Sequence, residues 1–368
     1  MRRRERAAQA VTALLRARYG GDGIDLSAIE PVLWNEIITL ASAQAVLPAL
    51  AGAARNLPGG LDAAGDAGVF LAEIEDANDR RNSRRRDRLL EIGTALHNAG
   101  IPAVAVKAAA FLLNDRTGAA AWRFSLDLDI LVPAAAVEPA AKILTAMDYS
   151  DPGLPYHPSD QHHYPAHIHA DGETVVEIHG RLWPQPDFPL LPTERILENA
   201  QPALADTALK VPNRDDRLVH LIAHAQCNSL RHKRRFVLLR DVCDLMELVT
   251  SPDDAEPLDW ETIHGRFAEV GLEPELAGFL AVAELIMASQ FEAPPWAEDG
   301  QSWAKSALSG LSGPALVRLR YASERLIYFS RELAFNPQRR RLARTMLTDA
   351  QLRRNFIDNI VAQWRNMR

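Results

Sequence analysis

Hydrophobic positions recur every three or four residues over much of the first 98 residues, which is the pattern of amphipathic helices. The pattern predicts helices over residues 7–18, 36–53 and 70–99, with a loop over residues 56–65. Gly100 then marks the end of a helix, because glycine readily takes the left-handed conformation that ends many helices. We therefore predict an N-terminal helical region over residues 1–98.

The pattern changes after residue 98, where short β-branched runs alternate with helical segments. Four runs are typical of strands, residues 101–106, 125–132, 164–169 and 174–179, and two segments are typical of helices, residues 107–114 and 134–147. Asp171 and Gly172 lie between the last two runs and form a common hairpin-turn pair. The pattern predicts an α+β fold in which residues 99–185 form a small mixed sheet of about four to five strands.

The remainder of the chain is predicted to be a C-terminal helical domain over residues 186–368. Its strongest helical pattern covers residues 215–249, with a break near Asn228 and Ser229. Residues 252–257 have the composition of a polar linker. Helical patterns resume at Trp260 and continue in the charged segment 316–367.

Composition and charge narrow the class of protein. The 368 residues are 47% hydrophobic and 24% charged, which is typical of globular proteins. The formal net charge of −7 argues against broad nucleic-acid binding. The basic clusters at residues 2–4, 80–88 and 339–341 are interpreted as solvated helix faces.

Cysteine usage and hydropathy indicate a cytoplasmic protein. Cys227 and Cys243 are the only cysteines, so the sequence has neither a disulfide framework nor a paired-cysteine metal motif. Glu5 and Arg16 interrupt any apolar run after the basic N-terminus, which argues against a signal peptide. No stretch reaches the roughly 20 apolar residues of a membrane-spanning helix, so we expect no membrane association.

Asp127 and Asp129 are the first candidate functional residues, because they lie two apart in an otherwise apolar predicted strand. Side chains alternate along a strand, so both carboxylates are expected on one face. A divalent cation such as Mg²⁺ would offset their repulsion, and carboxylates suit it as ligands. The alternative is an edge strand with one solvated polar face.

Glu177 adds weight to the metal site, because a carboxylate within a β-branched strand is unusual. If its strand pairs beside that of Asp129, the carboxylates converge and could clamp metal ions for nucleotidyl transfer. Lys107, where a strand runs into a helix, and Arg123, just before the acidic strand, would supply positive charge for phosphates. Each of these two could instead be an ordinary surface cation.

Histidines form a second cluster within a short region: His157, His162, His163, His167, His169 and His179. His167 and His169 share a strand face and could bind zinc, but no cysteine and no fixed ligand spacing accompany them. His179 shares a face with Glu177, so it could accept a proton, support the metal ligands, or cap the strand. His220 and His224 lack the glutamate of a zinc-protease helix and are expected to pack against the sheet.

The order of these residues resembles a known family. Lys107, then Arg123-x-x-x-Asp127-x-Asp129-Ile130-Leu131-Val132-Pro133, then Glu177-Ile178-His179, is similar to a bacterial family of largely uncharacterised nucleotidyltransferases within the polymerase-beta-like superfamily. The family has Arg-x-x-x-Asp-x-Asp-Leu-Leu-Val after a strand ending in Lys-Gly, and an acidic residue closely followed by His comes later. The helical segment 216–248 is also similar, with His220, His224, His232 and Arg240-Asp241. The resemblance covers residues from about 35 to 250.

The resemblance implies a set of roles. Asp127, Asp129 and Glu177 would bind Mg²⁺ or Mn²⁺, while Lys107, Arg123 and Ser125 would face the phosphates of a nucleoside triphosphate, expected to be ATP. His179 is placed with the catalytic residues. The second substrate is an unidentified acceptor, and nucleic acid is not expected as a partner, with a tRNA end as the exception left open.

One departure from the family leaves a second hypothesis open. Active members of the superfamily usually have glycine at the turn that contacts the phosphates, whereas Lys107 is followed by Ala108, Ala109 and Ala110. Glycine permits positive φ and close backbone approach, which alanine resists. The leading hypothesis is therefore a Mg²⁺-dependent nucleotidyltransferase, and the alternative is an inactive protein that keeps the fold for binding or interaction.

Overall fold

The computed structural model describes residues 3–114, 119–150, 156–159, 161–185, 188–250 and 258–312. The predicted linker 252–257, the predicted helical segment 316–367 and the basic cluster 339–341 lie outside the described residues.

Helices account for most of the described secondary structure. The α-helices are α1 (Arg3–Arg18), α2 (Pro31–Ala43), α3 (Leu47–Arg55), α4 (Asp66–Asn98), α5 (Lys107–Leu113), α6 (Ala119–Trp122), α7 (Val137–Ala146), α8 (Thr193–Glu198), α9 (Arg214–Ala223), α10 (Arg231–Arg234), α11 (Leu239–Val249), α12 (Trp260–Ala268), α13 (Glu273–Met287) and α14 (Gln301–Ser312). One π-helical turn, His224–Asn228, continues α9. Short 3-10 turns cover Leu26–Ala28, Gly60–Ala64, Ala134–Ala136, Ala288–Gln290 and Pro295–Gly300.

The sheet has seven short strands and is mixed in direction. They are β1 (Val104–Val106), β2 (Leu128–Leu131), β3 (Tyr149–Ser150), β4 (His167–His169), β5 (Val175–His179), β6 (Gln201–Pro202) and β7 (Lys210–Val211). Their order across the sheet is β3-β4-β5-β2-β1-β7-β6. β2 runs parallel to β5 and antiparallel to β1, so these three strands form the centre.

The α+β class agrees with the prediction, but the predicted count of about four to five strands is too low. β3, β6 and β7 have two residues each, which is too short to show an alternating pattern. β6 and β7 also lie beyond residue 185, where the α/β core was predicted to end, and β7 pairs with β1. The three-region division of the chain stays a prediction.

Several predicted elements have different bounds in the structure, among them one helix and one strand. The predicted helix 36–53 is two helices, because the backbone turns between α2 and α3, where Ala45 has φ +54°. The predicted strand 125–132 is shorter and begins at Leu128. Ser125 and Leu126 do not join the sheet because Arg85 binds their carbonyl groups.

Two hydrophobic clusters form the core. One includes Leu14 of α1 together with Phe279 of α13, and it joins the N-terminal and C-terminal helices. The other lies between the sheet and α4, α5 and α7, and it includes Leu96 and Ile130. The helical regions before and after the sheet therefore pack on each other as well as on the sheet.

The basic cluster at residues 80–88 is not uniformly solvated, which corrects the interpretation from sequence. Arg85 is fully buried, and Asn78 and Asn82 on the same face of α4 are buried with it. Residues spaced by three and four share a helix face, so these polar groups form one buried stripe. Arg84, by contrast, is exposed and pairs with Glu173.

Within the described ranges, no single helix has the length and hydropathy of a membrane-spanning segment. One pair of helices bent by 115° at a break, Glu273–Gln290 with Pro295–Leu311, meets the criteria of length and composition together.

Candidate active site at the centre of the sheet

Two carboxylates and an imidazole meet on the central strands. Asp129 of β2 lies directly opposite Glu177 of β5 in the parallel register, and His179 is two residues beyond Glu177. Because side chains two apart share a face, the three project to the same side of the sheet. One ligand atom from each lies within 4.8 Å of the others. The two strands pair, which is the condition under which the sequence analysis expects the carboxylates to converge.

Asp129 is the most tightly held of these groups. It is fully buried, and its Oδ1 accepts hydrogen bonds from Lys107 Nζ at 2.7 Å and from His179 Nε2 at 2.8 Å. Its Oδ2 has no hydrogen-bond partner among the described residues. Burial alone would raise the pKa of Asp129, but the charges of Lys107 and His179 hold it far below its usual range. The carboxylate is therefore ionised, with one oxygen still able to bind a cation.

His179 lies between the two carboxylates. Its Nε2 is 2.8 Å from Asp129 Oδ1 and 3.6 Å from Glu177 Oε2. Burial would lower the pKa of His179, but the hydrogen bonds to both carboxylates raise it. Burial would raise the pKa of Glu177, but the hydrogen bond to His179 and the charge of His163 outweigh burial and lower it. The imidazole is therefore placed as a donor to Asp129.

Asp127 lies one step outside this group. It precedes β2, so the strand register does not hold it, and it is not one of the three residues whose ligand atoms converge. Burial and repulsion by Asp129 raise its pKa, although Lys107 acts in the opposite direction. Its predicted role as a metal ligand stays a prediction.

Lys107 reaches Asp129 because of the turn between β1 and α5. Val106 is paired with Asp129 in the sheet, and Lys107 follows at φ +49°, in the left-handed region. Burial would lower the pKa of Lys107, but Asp129 raises it above its usual value. Ala108 is inside α5 and is not among the residues with positive φ. The left-handed conformation that glycine favours therefore occurs at Lys107 and not at Ala108. Alanine at position 108 causes no backbone strain in this turn.

Arg123 and Ser125 make structural hydrogen bonds. Arg123 donates from Nε and Nη2 to the two oxygens of Asp244, both at 2.9 Å, while Nη1 has no partner among the described residues. Ser125 Oγ accepts a 2.6 Å hydrogen bond from Arg85 Nη1. Their contact with phosphates stays a prediction. For Arg123, the nitrogen left for such a contact is Nη1.

The sequence did not reveal the buried polar stripe of α4, which holds the segment leading into Asp127. Asn82 Nδ2 donates to the carbonyl of Arg123 at 2.8 Å, and Arg85 donates to the carbonyls of Ser125 and Leu126. Asn78 contributes a 2.7 Å bond to the carbonyl of Ala121. A polar stripe at three- and four-residue spacing in a long helix was the available signal, but it is equally typical of a solvated face.

A cavity of about 210 Å³ lies against Asp127 and Asp129, and Glu177 and His179 are not in its lining. It is lined by Lys107, Ala108, Phe111, Arg123, Ser125, Leu126, Asp127, Asp129, Pro212, Arg217, His220, Leu221, His224, Arg240, Asp241 and Asp244. The lining therefore joins the sheet edge to α9 and α11 of the C-terminal helices. Four of the side chains are basic and four are carboxylates.

The comparison with known families agrees with this arrangement. A family model described as an uncharacterised nucleotidyltransferase matches residues 30–288, which is more than half of the chain. The chain belongs to this nucleotidyltransferase family. The match includes the whole sheet and every residue that lines the cavity. No curated protein and no solved structure matches the chain.

A divalent cation, as nucleotidyltransferases generally use, fits the residues present. Two carboxylates and one imidazole converge, and Asp129 Oδ2 is a buried oxygen that accepts no hydrogen bond from the described residues. Carboxylate oxygens suit Mg²⁺ and Mn²⁺, and an imidazole favours the softer ion. The donor set is therefore compatible with either ion.

The chain has further histidines around the site, and they are not equivalent. Burial, followed by the charge of Lys107, lowers the pKa of His220 to about 3 and that of His224 well below its usual value. Both are neutral near pH 7 and lie in the cavity wall, and their expected packing against the sheet stays a prediction. His232 instead stacks on Trp303, at 4.8 Å between ring centroids.

The zinc alternative gains no support from the described residues. His167 is buried and His169 Nδ1 contacts Asp171 at 2.9 Å, but neither belongs to a described group of three metal-binding side chains. His162 and His163 pack against the ring of His179, at 5.5 and 5.1 Å between centroids.

Proposed function

We propose that the chain is a divalent-metal-dependent nucleotidyltransferase. It transfers a nucleoside monophosphate from a triphosphate, with ATP as the expected donor, to an acceptor hydroxyl or phosphate and releases pyrophosphate. The observation that carries the proposal is the meeting of Asp129, Glu177 and His179 within 4.8 Å, beside Lys107 and a cavity. This combination places anionic metal ligands next to a cation suited to phosphate.

In this proposal Asp129 and Glu177 hold Mg²⁺ or Mn²⁺, with His179 or Asp127 as the next ligand. The ion would supply Lewis-acid stabilisation of the charge on the phosphoryl oxygens. Lys107 has its ammonium group 2.7 Å from Asp129. With Asp129 engaged as a metal ligand, Lys107 would be free to turn toward a phosphate oxygen.

The reaction forms one bond and breaks one. The acceptor oxygen attacks the α-phosphorus, the bond from the α-phosphorus to the oxygen bridging to the β-phosphate breaks, and pyrophosphate leaves with that electron pair. When His179 is the third metal ligand, the acceptor proton goes to Asp127, which lies in the cavity wall and is not one of the three residues whose ligand atoms converge. His179 is less suited to accept the proton, because its Nε2 donates to Asp129.

The test is transfer from α-labelled triphosphates with Mg²⁺ or Mn²⁺, scored by pyrophosphate release and by labelled product. Asp129→Asn keeps the shape of the side chain and removes its charge, so we expect activity to fall at least about a hundredfold. Asp87→Asn removes an exposed carboxylate on α4 and serves as the matched control. If the wild-type protein neither binds nor turns over any triphosphate with either metal, the proposal is wrong.

One observation favours a second candidate, a non-catalytic protein that keeps the nucleotidyltransferase fold for binding. Asp129 Oδ1 already receives Lys107 and His179, so its charge is offset without a metal ion. Thermal shift with Mg²⁺ and each triphosphate separates the two, because a ligand at about a hundred times its Kd stabilises the folded state by about 2.7 kcal/mol. A flat response at all concentrations would favour the binding protein.

A further inference from the structure

Buried side-chain nitrogen atoms that lack a hydrogen-bond partner among the described residues line the cavity where it meets the C-terminal helices. Arg123 Nη1, Arg240 Nε and His220 Nε2 have no hydrogen-bond partner in the part of the chain that the structure describes. Arg123 and His220 are only 6% and 4% exposed. Buried polar groups normally find partners, because leaving them unpaired is costly. A ligand that satisfies them is therefore expected to carry acceptor oxygens.

The guanidinium groups are crowded in this wall. Arg123 and Arg217 both lie over the ring of Phe111, with their central carbons 5.0 and 4.7 Å from its centroid. Burial lowers the pKa of Arg240, and the nearby charge of Arg123 lowers it further. Gathering like charges is unfavourable by itself, so the arrangement is typical of a receptor for an anion.

The charge balance of the cavity points to the same ligand. The four basic side chains of the wall are matched by four carboxylates, including Asp127 and Asp129. A divalent cation on Asp129 and Glu177 would leave an excess of positive charge. An anion is then required beside the metal, and a phosphate chain has both the charge and the acceptor oxygens.

We propose that Arg123, Arg240 and His220 form the receptor for the phosphate chain of the nucleotide. This rests on the proposed function and deepens it, because it assigns phosphate binding to α9 and α11 of the C-terminal helices. Asp244 of α11 holds Arg123 by its other two nitrogens, which leaves Nη1 for the ligand. The C-terminal helical region thus completes the nucleotide site instead of only supporting the sheet.

Calorimetric titration of the full chain with inorganic tripolyphosphate, at saturating Mg²⁺, tests this receptor. Arg240→Met keeps the length of the side chain and removes the guanidinium, so we expect at least about tenfold weaker binding. Arg240→Lys keeps the charge and is expected to lose less. Arg55→Met removes an exposed arginine that does not line the cavity and should bind as the wild type does.

The fold of these variants is checked by thermal melting. Asp241, the partner of Arg240, retains its contact with Arg231, so Arg240→Met is expected to remain folded. His220→Phe is the second variant and should also weaken tripolyphosphate binding. If wild type, Arg240→Met and His220→Phe bind tripolyphosphate equally, the receptor is wrong while the proposed function stands. If the wild type binds neither tripolyphosphate nor any triphosphate, both proposals fail.

Discussion

Lys107 Nζ lies 2.7 Å from Asp129 Oδ1, so the ammonium group of the lysine offsets the charge of a carboxylate whose other oxygen, Oδ2, is open to a metal ion. The side chain of Asp129 is 1% exposed and that of Lys107 is 25% exposed. This pair therefore links the stability of the metal-free protein to the occupancy of the candidate metal site.

Replacing Lys107 should make the fold depend on metal. Lys107→Met leaves the buried Asp129 with His179 alone, so we expect the free energy of unfolding to fall by about 1–3 kcal/mol. Mg²⁺ or Mn²⁺ should restore more stability to this variant than to the wild type, since the ion replaces the lost cation. Denaturant unfolding with and without metal measures both effects. Equal stabilisation of the two proteins by metal would show that the ion does not offset the charge that Lys107 offsets.

Arg85 is expected to be essential for the segment that leads into Asp127. Arg85→Met removes the donor to the carbonyls of Ser125 and Leu126, and each buried acceptor left unpaired costs about 1–3 kcal/mol. Arg84→Met on the same helix is the matched control, because the exposed pair of Arg84 with Glu173 contributes about 0–1 kcal/mol. Urea unfolding compares the two variants, and similar losses would show that Arg85 is not a clamp.

The residues of the site differ in how well their positions and partners could be predicted from the sequence. Alternation in β2 and β5 predicted the strand faces on which Asp129 and Glu177 lie, but it left the pairing of the two strands as a condition, which their parallel register meets. The partners of Arg85 and Arg123 could not be found this way, since they are 40 and 121 residues away along the chain. A local pattern does not distinguish a solvated arginine from one that binds a distant carbonyl or carboxylate.

The cavity shows the same limit. The resemblance singled out His220, His224 and Arg240 without giving them a role, and the structure places all three in the cavity wall, on α9, on its π-helical continuation and on α11. Strands of two residues, such as β6 and β7, were also missed, because they form by pairing, β7 with β1 and β6 with β7, and not by local propensity.

Acid should destabilise the protein partly through His220. The pKa of His220 is lowered to about 3 in the folded protein, against about 6.5 for an ordinary histidine, so the unfolded chain binds the extra proton in that interval. The free energy of unfolding contributed by this group therefore falls as pH decreases from about 6.5 to 3, by up to about 1.4 kcal/mol per pH unit. His220→Gln should reduce the slope of stability against pH measured between pH 6.5 and 4. His97→Gln, at an exposed histidine, should follow the wild type, and an unchanged slope in His220→Gln would contradict the prediction.

Comparing the affinities for Mn²⁺ and Mg²⁺ can identify the third metal ligand. If His179 joins Asp129 and Glu177 as a ligand, the wild type should bind Mn²⁺ more tightly than Mg²⁺, because an imidazole suits the softer ion. His179→Gln should then lower Mn²⁺ affinity by at least about tenfold and narrow the difference between the two ions. Asp127→Asn is the companion variant, and titration calorimetry with each ion gives the affinities. A Mn²⁺ preference that His179→Gln leaves unchanged, together with weaker Mg²⁺ binding in Asp127→Asn, would show that the ligands are the three carboxylates and that His179 acts through its hydrogen bond to Asp129.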